Sequence, residues 1–136
     1  MSFTILPTVE SFYLTRTETI DNNSGTAIEY FTEPQNGTEI TNTVTAEGGT
    51  YNFSFSAICA NTSTGGSVVI NPEIGGVAVF AQPYSHEPKD TANVFYINIQ
   101  KRVILAAGVN TIQVQLSNNG GGTGRVFEAS VTLTKV

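Results

Sequence analysis

Histidine is the side chain most often used as a general base, and this chain has only one, His86. Glu87 follows it directly, and Asp90 lies four residues further on. Such a group could form a weak metal site or a proton-transfer site. A metal site needs several converging ligands, which one imidazole in a polar loop does not supply. We therefore predict that His86 is an exposed loop histidine and that the chain holds no metal or cofactor.

The only thiol is Cys59, so an internal disulfide is impossible. A reactive cysteine needs an exposed and electropositive setting. Cys59 instead shares one face of an alternating segment with Tyr51, Phe53 and Phe55, while small polar residues take the other face. We predict that it is a small buried hydrophobic side chain.

Eleven carboxylates could provide the acid and base of a glycosidase. Four of them flank or lie in the early predicted strands: Glu29, Glu33, Glu39 and Glu47. Spacing alone does not bring any two together, and the run Asp21-Asn22-Asn23 is more typical of a turn than of a calcium site. Because no acid, base and nucleophile converge, we expect a protein that is not an enzyme.

The charge balance excludes some partners. The net charge is −5, and the six basic residues are scattered, so no cluster is available to neutralise phosphates. We predict no nucleic-acid binding and no membrane association. The N-terminal residues have neither a basic region nor a long apolar region. We expect synthesis in the cytoplasm, with release by lysis or inside a particle.

The segments that carry these residues alternate between apolar and polar side chains, which is the pattern of β-strands. Only 12% of the residues are charged, and Thr, Asn and Gly take their place, which suits strand surfaces and turns. Alternating segments separated by turn clusters predict eight or nine strands in a single domain, residues 1–136. The segment 103–114 resembles a hairpin, and the glycine-rich loop at 118–124 is predicted to be flexible and unpacked.

Residues 1–20 are less regular than the sandwich predicted for residues 26–136. We interpret them as an extended N-terminal arm with one or two short strands. Packing of the arm on a neighbouring subunit and addition as an edge strand of the same sandwich are equally compatible with the pattern. The candidate partner-binding residues of the arm are Phe3, Ile5, Leu6, Val9, Phe12 and Tyr13.

Aromatic side chains suggest an alternative, because sugar-binding platforms use exposed aromatic faces. Tyr84 and Tyr96 are candidates for such a platform, whereas Tyr30 and Tyr51 are predicted to lie in the core. A shallow glycan site in the loops would use four residues for stacking and hydrogen bonding: Tyr84, His86, Asn118 and Asn119.

Two sequence stretches resemble known families. Residues 48–57, GGTYNFSFSA, and residues 103–114, VILAAGVNTIQV, are similar to segments of TNF/C1q-like jelly-roll domains of tailed-phage capsid decoration and fibre proteins. They also resemble family 6 and 35 carbohydrate-binding modules, which usually carry Trp in their binding loops, whereas this chain has none. Pattern and resemblance together predict an all-β, antiparallel two-sheet jelly-roll sandwich of about eight strands with an N-terminal arm.

The phage resemblance implies a virion structural protein, most closely a capsid decoration (cement) protein. It implies a homotrimer that binds the major capsid protein, or another virion protein, and stabilises the assembled shell. The arm would carry the contact to the shell or to a sister subunit. The alternative is a carbohydrate-binding or receptor-binding domain that recognises surface glycans.

Overall fold

A computed structural model describes residues 9–32, 42–87 and 94–136 of the 136-residue chain. Within those ranges the chain forms eleven β-strands and no helix, which confirms the predicted all-β class. The strands are β1 (Ser11–Arg16), β2 (Ile20–Asn22), β3 (Ile28–Glu29), β4 (Thr43–Ala46), β5 (Gly49–Asn61), β6 (Gly66–Ile74), β7 (Val77–Ala78), β8 (Tyr84–His86), β9 (Phe95–Leu105), β10 (Gly108–Gly120) and β11 (Gly124–Lys135).

The strands form two sheets, and each described pairing is antiparallel. Sheet I has the order β1-β11-β5-β9, with β2 also paired to β11. Sheet II has the order β3-β10-β6-β7, with β4 also paired to β10 and β8 to β6. The two sheets therefore make the predicted sandwich.

Eight strand positions account for the eleven strands. The short strands β1 and β2 lie end to end along β11, β3 and β4 along β10, and β7 and β8 along β6. We count each such couple as one position and number the eight positions along the chain. Sheet I then has the order first, eighth, third, sixth. Sheet II then has the order second, seventh, fourth, fifth. This is the arrangement of a jelly roll, and eight positions agree with the predicted count of eight or nine strands, although the pattern does not show the breaks within three positions.

The core lies between the sheets. In β5, the side chains at 51, 53, 55, 57 and 59 are buried, as the strict alternation of apolar and polar residues predicts. Ile112, Val114 and Leu116 of β10 face them from sheet II. Tyr30 and Tyr51 are both buried in this core, as predicted. Burial of each such large side chain contributes about 1.5–3 kcal/mol to folding.

Residues 26–32 differ from the alternating strand that their sequence predicts. Only Ile28 and Glu29 are strand residues, and the chain then turns so that Tyr30 and Phe31 are both buried. The Glu29 carboxylate holds this turn, because it accepts hydrogen bonds from the backbone N–H groups of Phe31 and Thr32. It also accepts one from the N–H of Val114 in β10, at 2.9 Å.

The segment 103–114 is not a hairpin. It contains the end of β9 and the start of β10, and these strands belong to different sheets. The Asn110 side chain closes the turn between them by donating hydrogen bonds to the carbonyls of Ala106 and Gly108. A hairpin and a crossover turn share this local chemistry, so the sequence motif does not distinguish them.

The alternation in the sequence also predicts a strand at 77–82 and two strands at 94–99 and 102–105, and both predictions need correction. The predicted strand from Val77 to Gln82 ends at Ala78, where the chain bends. The two strands predicted at 94–99 and 102–105 are one continuous strand, β9. Lys101, in the middle of β9, covers the open edge of the sandwich and donates a hydrogen bond of 2.8 Å to the Val79 carbonyl.

Candidate functional site

The turns of the sandwich gather at its two ends. Turns 47–48 and 106–107 lie against each other, because a Cβ on Gly48 would stand 2.9 Å from the Ala107 backbone nitrogen. Turn 75–76 is close by, since the Gly75 N–H donates to the Thr111 carbonyl. We call this the turn end. The connections 23–27, 62–65 and 121–123 meet at the opposite end, which we call the loop end.

Two predicted glycan-binding residues, Tyr84 and His86, lie on the short edge strand β8. They pair with Ile70 and Val68, whose side chains are buried. Tyr84 is half-buried against the core, and its desolvation raises the pKa of its phenol. The His86 ring packs on Phe95 of β9, with ring centroids 4.0 Å apart. Both rings therefore close the open edge between the sheets, and His86 is half-buried rather than exposed.

The other two predicted glycan-binding residues face opposite ways. Asn119 is exposed, whereas Asn118 is buried and its side chain is committed to the protein. Its Oδ1 accepts from Asn61, and its Nδ2 donates to the carbonyls of Gly121 and Gly122. The structure therefore does not bring the four residues together on one surface.

The glycine-rich loop is packed, contrary to the prediction that it is flexible. Strand β10 continues to Gly120, and β11 begins at Gly124. A Cβ on Gly122 would lie 2.6 Å from the Asn61 Oδ1 atom, and the φ of Gly122 is +73°. Glycine is required here because the backbone approaches its neighbours closely and adopts a left-handed conformation.

The one thiol of the chain lies inside the core. Cys59 is buried, as predicted, and desolvation raises the pKa of its thiol to about 12. Across the described ranges, no three of the His, Cys, Asp and Glu residues are close enough to hold a metal ion. Among those same residues, no helix is long and apolar enough to cross a membrane.

Part of the predicted arm belongs to the sandwich. Strand β1 pairs with β11 over six residues, so residues 11–16 form an edge strand, which was one of the two alternatives. Phe12 packs inward, with its ring centroid 6.4 Å from that of Tyr51. Val9 and Tyr13 are exposed. Phe3, Ile5 and Leu6 lie outside the described residues.

Exposed apolar side chains concentrate at the turn end. Of the apolar residues that the structure describes, Ile104 is the most exposed, at 82%, and it lies just before turn 106–107. The register places it beside Thr50, whose carbonyl accepts a hydrogen bond from the backbone of Val136. Within the described residues, five exposed apolar side chains lie at or next to the turn end, and we call them the apolar end: Val9, Val77, Ile104, Val109 and Val136.

A polar cluster stands beside the apolar end. The Tyr51 hydroxyl donates a short hydrogen bond to the Glu10 carboxylate, which also accepts from the backbone N–H of Glu47. Lys135 forms a 3.1 Å ion pair with Glu47. The bond from Tyr51 is the main cause that lowers the pKa of Glu10. Burial raises the pKa of Tyr51, and so does its bond to Glu10.

The outer face of sheet I forms an open groove of about 480 Å³. Hydroxyl, amide and apolar side chains from β1, β11, β5 and β9 line it, together with one carboxylate, Glu128. Tyr13 and Tyr96 stand at opposite edges of the sheet, 67% and 76% exposed. Tyr96 was predicted as a possible sugar platform, and its exposure agrees with that interpretation. The groove itself was not predicted, because it requires the register of four strands.

Comparisons with known proteins add information on the fold alone. No protein-family model matches the chain, and no curated protein matches its sequence. A chain in the structure of infectious bursal disease virus, Gx strain, is similar with a TM-score of 0.58 at 9% identity. The match covers 93% of this chain and 32% of the viral chain. This chain therefore spans about a third of the length of the viral chain, and the likeness shows a shared sandwich fold.

A second solved structure is more distant. Dimeric latent PorU from Porphyromonas gingivalis matches 90% of this chain and 13% of its own, with 13% identity and a TM-score of 0.45.

Proposed function

We propose that this protein is a non-enzymatic structural component of a virus particle. Its fold is a jelly roll, an architecture used in viral capsids, and one distant structural neighbour is a chain of a virus. At this similarity the neighbour supports the fold, and the function must come from the surface of this chain. The finer proposal is a capsid decoration protein of a tailed phage that binds the assembled shell.

The apolar end carries this proposal. Five exposed apolar side chains at one end of a small domain mark a surface that gains free energy when a partner covers it. Val9, the first described residue, lies at this end, and the sequence before it contains Phe3, Ile5 and Leu6. The apolar end would contact the major capsid protein or another virion protein, and the arm residues are proposed as additional contacts.

The proposed mechanism is mass action. A protein that binds the assembled shell, but not its free subunits, stabilises the shell by the free energy of binding. A homotrimer would place three apolar ends on one shell site and raise the overall affinity through multivalency. Light scattering on a sizing column tests this directly: we expect a mass three times the 14.5 kDa of one chain.

A sedimentation experiment tests the docking surface. Empty shells made from the major capsid protein of the same virus would be mixed with the chain and pelleted. We expect wild-type protein to co-sediment, and Ile104→Lys and Val109→Lys to remain in the supernatant with unchanged thermal unfolding, because both side chains are exposed. Thr64→Lys, at the exposed loop end, is the matched control and should still pellet. Equal pelleting of all three variants would contradict the proposal.

A further inference from the structure

We propose that the groove on the outer face of sheet I binds a neutral oligosaccharide. Its volume of about 480 Å³ lies within the range of roughly 300–1,000 Å³ that is usual for small-ligand sites. The site is separate from the apolar end and from the residues Tyr84, His86 and Asn118. It is therefore an additional function, independent of shell docking.

A row of neutral hydrogen-bonding side chains crosses the floor of the groove, beside Ile58 and Glu128. Thr15 pairs with Ser130, Ser130 with Ser56, and Ser56 with Asn98, so one row crosses all four strands. The row spans about 14 Å, since neighbouring strands lie about 4.8 Å apart. Sugar hydroxyl groups both donate and accept hydrogen bonds, as serine and threonine hydroxyls and the asparagine amide do.

Part of this hydrogen-bonding capacity is available to a ligand. Thr15 donates to the Ala129 carbonyl, and Asn98 accepts a long bond from Gln100, so those two groups have protein partners. The hydroxyls of Ser56 and Ser130, which the structure describes, have no hydrogen bond to another protein group. They lie half-buried at the centre of the sheet, where a bound sugar would contact them.

Two aromatic rings bound the groove diagonally. Tyr13 lies two residues before Thr15 on edge strand β1, and Tyr96 lies two residues before Asn98 on the opposite edge strand, β9. Three successive antiparallel pairings connect β1 to β9, so these two edge strands run in opposite directions. The two rings therefore lie on opposite sides of the central row. A short oligosaccharide lying along this diagonal would stack an apolar C–H face on each ring and place hydroxyls on the floor.

The charge of the groove selects a neutral ligand. The residues that line it, all within the described ranges, include one carboxylate, Glu128, and no lysine or arginine. Nucleic acids and acidic polysaccharides would find no cation to pair with and would approach a chain of net charge −5. Glu128 can accept strong hydrogen bonds from sugar hydroxyls.

The composition of the floor also favours a sugar over a second copy of this chain. The centres of protein interfaces are depleted in serine and enriched in large apolar residues. Here the two tyrosines stand on the edge strands, and the central strands β5 and β11 contribute Ser56 and Ser130 with one large apolar side chain, Ile58. Two serine hydroxyls in the floor and two aromatic rings at the edges match a carbohydrate better than the apolar centre of a second copy.

A glycan array that carries neutral and acidic oligosaccharides identifies the ligand, and calorimetric titration with the best neutral glycan measures its affinity. We expect Tyr13→Ala and Tyr96→Ala each to weaken binding about tenfold, the loss of one stacked ring. Tyr96→Phe keeps the ring and should stay within twofold of wild type. Asn52→Ala, exposed on the same outer face of sheet I but outside the groove, is the matched control and should not change the affinity.

The absence of neutral-glycan binding on the array would overturn the proposal, as would an equal loss in Asn52→Ala and Tyr96→Ala. If no neutral glycan binds and Tyr96→Ala converts an oligomer into a monomer, the groove is an interface between copies of the chain. Ile104→Lys separates this proposal from shell docking, because it should release the chain from shells and leave glycan affinity unchanged.

Discussion

Asn61 donates a 2.7 Å hydrogen bond from its side-chain Nδ2 to the Oδ1 of Asn118, and both side chains are buried. Asn61 ends β5 in sheet I, and Asn118 lies near the end of β10 in sheet II. The bond therefore joins the two sheets at the loop end. Asn118 also holds the 121–123 connection through two backbone carbonyls.

Asn118→Ala is expected to lower the free energy of unfolding by about 1–3 kcal/mol, because it leaves buried partners without hydrogen bonds. Urea unfolding measures the change. Asn119→Ala is the matched control: its side chain is exposed, so we expect a change within about 0.5 kcal/mol. Equal effects of the two substitutions would show that the Asn118 network does not stabilise the loop end.

Two adjacent glycines give a second comparison. A Cβ on Gly66 would overlap the Gly121 carbonyl oxygen and stand 2.9 Å from the Asn61 side-chain amide. We expect Gly66→Ala to cost at least about 1–3 kcal/mol, the usual penalty for overpacking. A Cβ on Gly65 would meet only the Ser63 Oγ, at 3.8 Å, so Gly65→Ala should be nearly neutral. Thermal unfolding of both variants checks this, and a neutral Gly66→Ala would contradict the packed loop.

The sequence predicts the sandwich because alternation is strict where a strand is buried on one face only. In β5 every second residue from Tyr51 to Cys59 points into the core, and the same rule identifies β10. The rule fails at Tyr30 and Phe31, because the Glu29 carboxylate holds a turn that buries two consecutive residues. Hydrogen bonds from backbone N–H groups to a single carboxylate produce no periodic pattern of apolar residues in the sequence.

The candidate sites are less predictable than the fold. Asn118 and Asn119 have identical side chains, and only the register shows that one is buried and the other exposed. Tyr13 and Tyr96 are 83 positions apart in the printed sequence and share a groove only through the pairings of β1, β11, β5 and β9. Tyr96 shares the polar face of its strand with Asn98 and Gln100, so its exposure could be predicted from the sequence. The position of Tyr13 across the groove could not.

The pKa of Glu10 predicts a pH dependence of stability. Its hydrogen bond from Tyr51 holds that pKa below the ordinary value of 4.5, so the folded state binds fewer protons than the unfolded state in this range. The stabilisation is present above pH 4.5 and is lost as the pH falls through the folded-state pKa. We expect the stability difference between wild type and Glu10→Gln to be largest near neutral pH and to shrink under acid conditions.

Tyr51→Phe provides the control for that dependence. It removes the hydroxyl that donates to Glu10 and keeps the buried ring. An NMR titration of the Glu10 carboxyl carbon should then show its pKa moving up towards 4.5. If the pKa stays low in Tyr51→Phe, the Glu47 backbone N–H and Lys135 are the main causes instead.

Burial predicts that the Cys59 thiol is inert in the folded protein. Desolvation raises its pKa to about 12, so almost no thiolate exists at pH 8. We expect a thiol reagent such as DTNB to label the native protein only at the rate of unfolding, and to label it rapidly in denaturant. A double variant with Cys59→Ala and an exposed cysteine, Thr64→Cys, should react at once. Rapid labelling of native wild type would place Cys59 outside the core.

Cryo-electron microscopy of virus shells incubated with this chain tests the central claim most directly. The account predicts ordered jelly-roll density on the outside of the shell, with Ile104 and Val109 against the capsid protein and the loop end facing solvent. Shells without added density would contradict the claim, and so would density in which the loop end makes the contact.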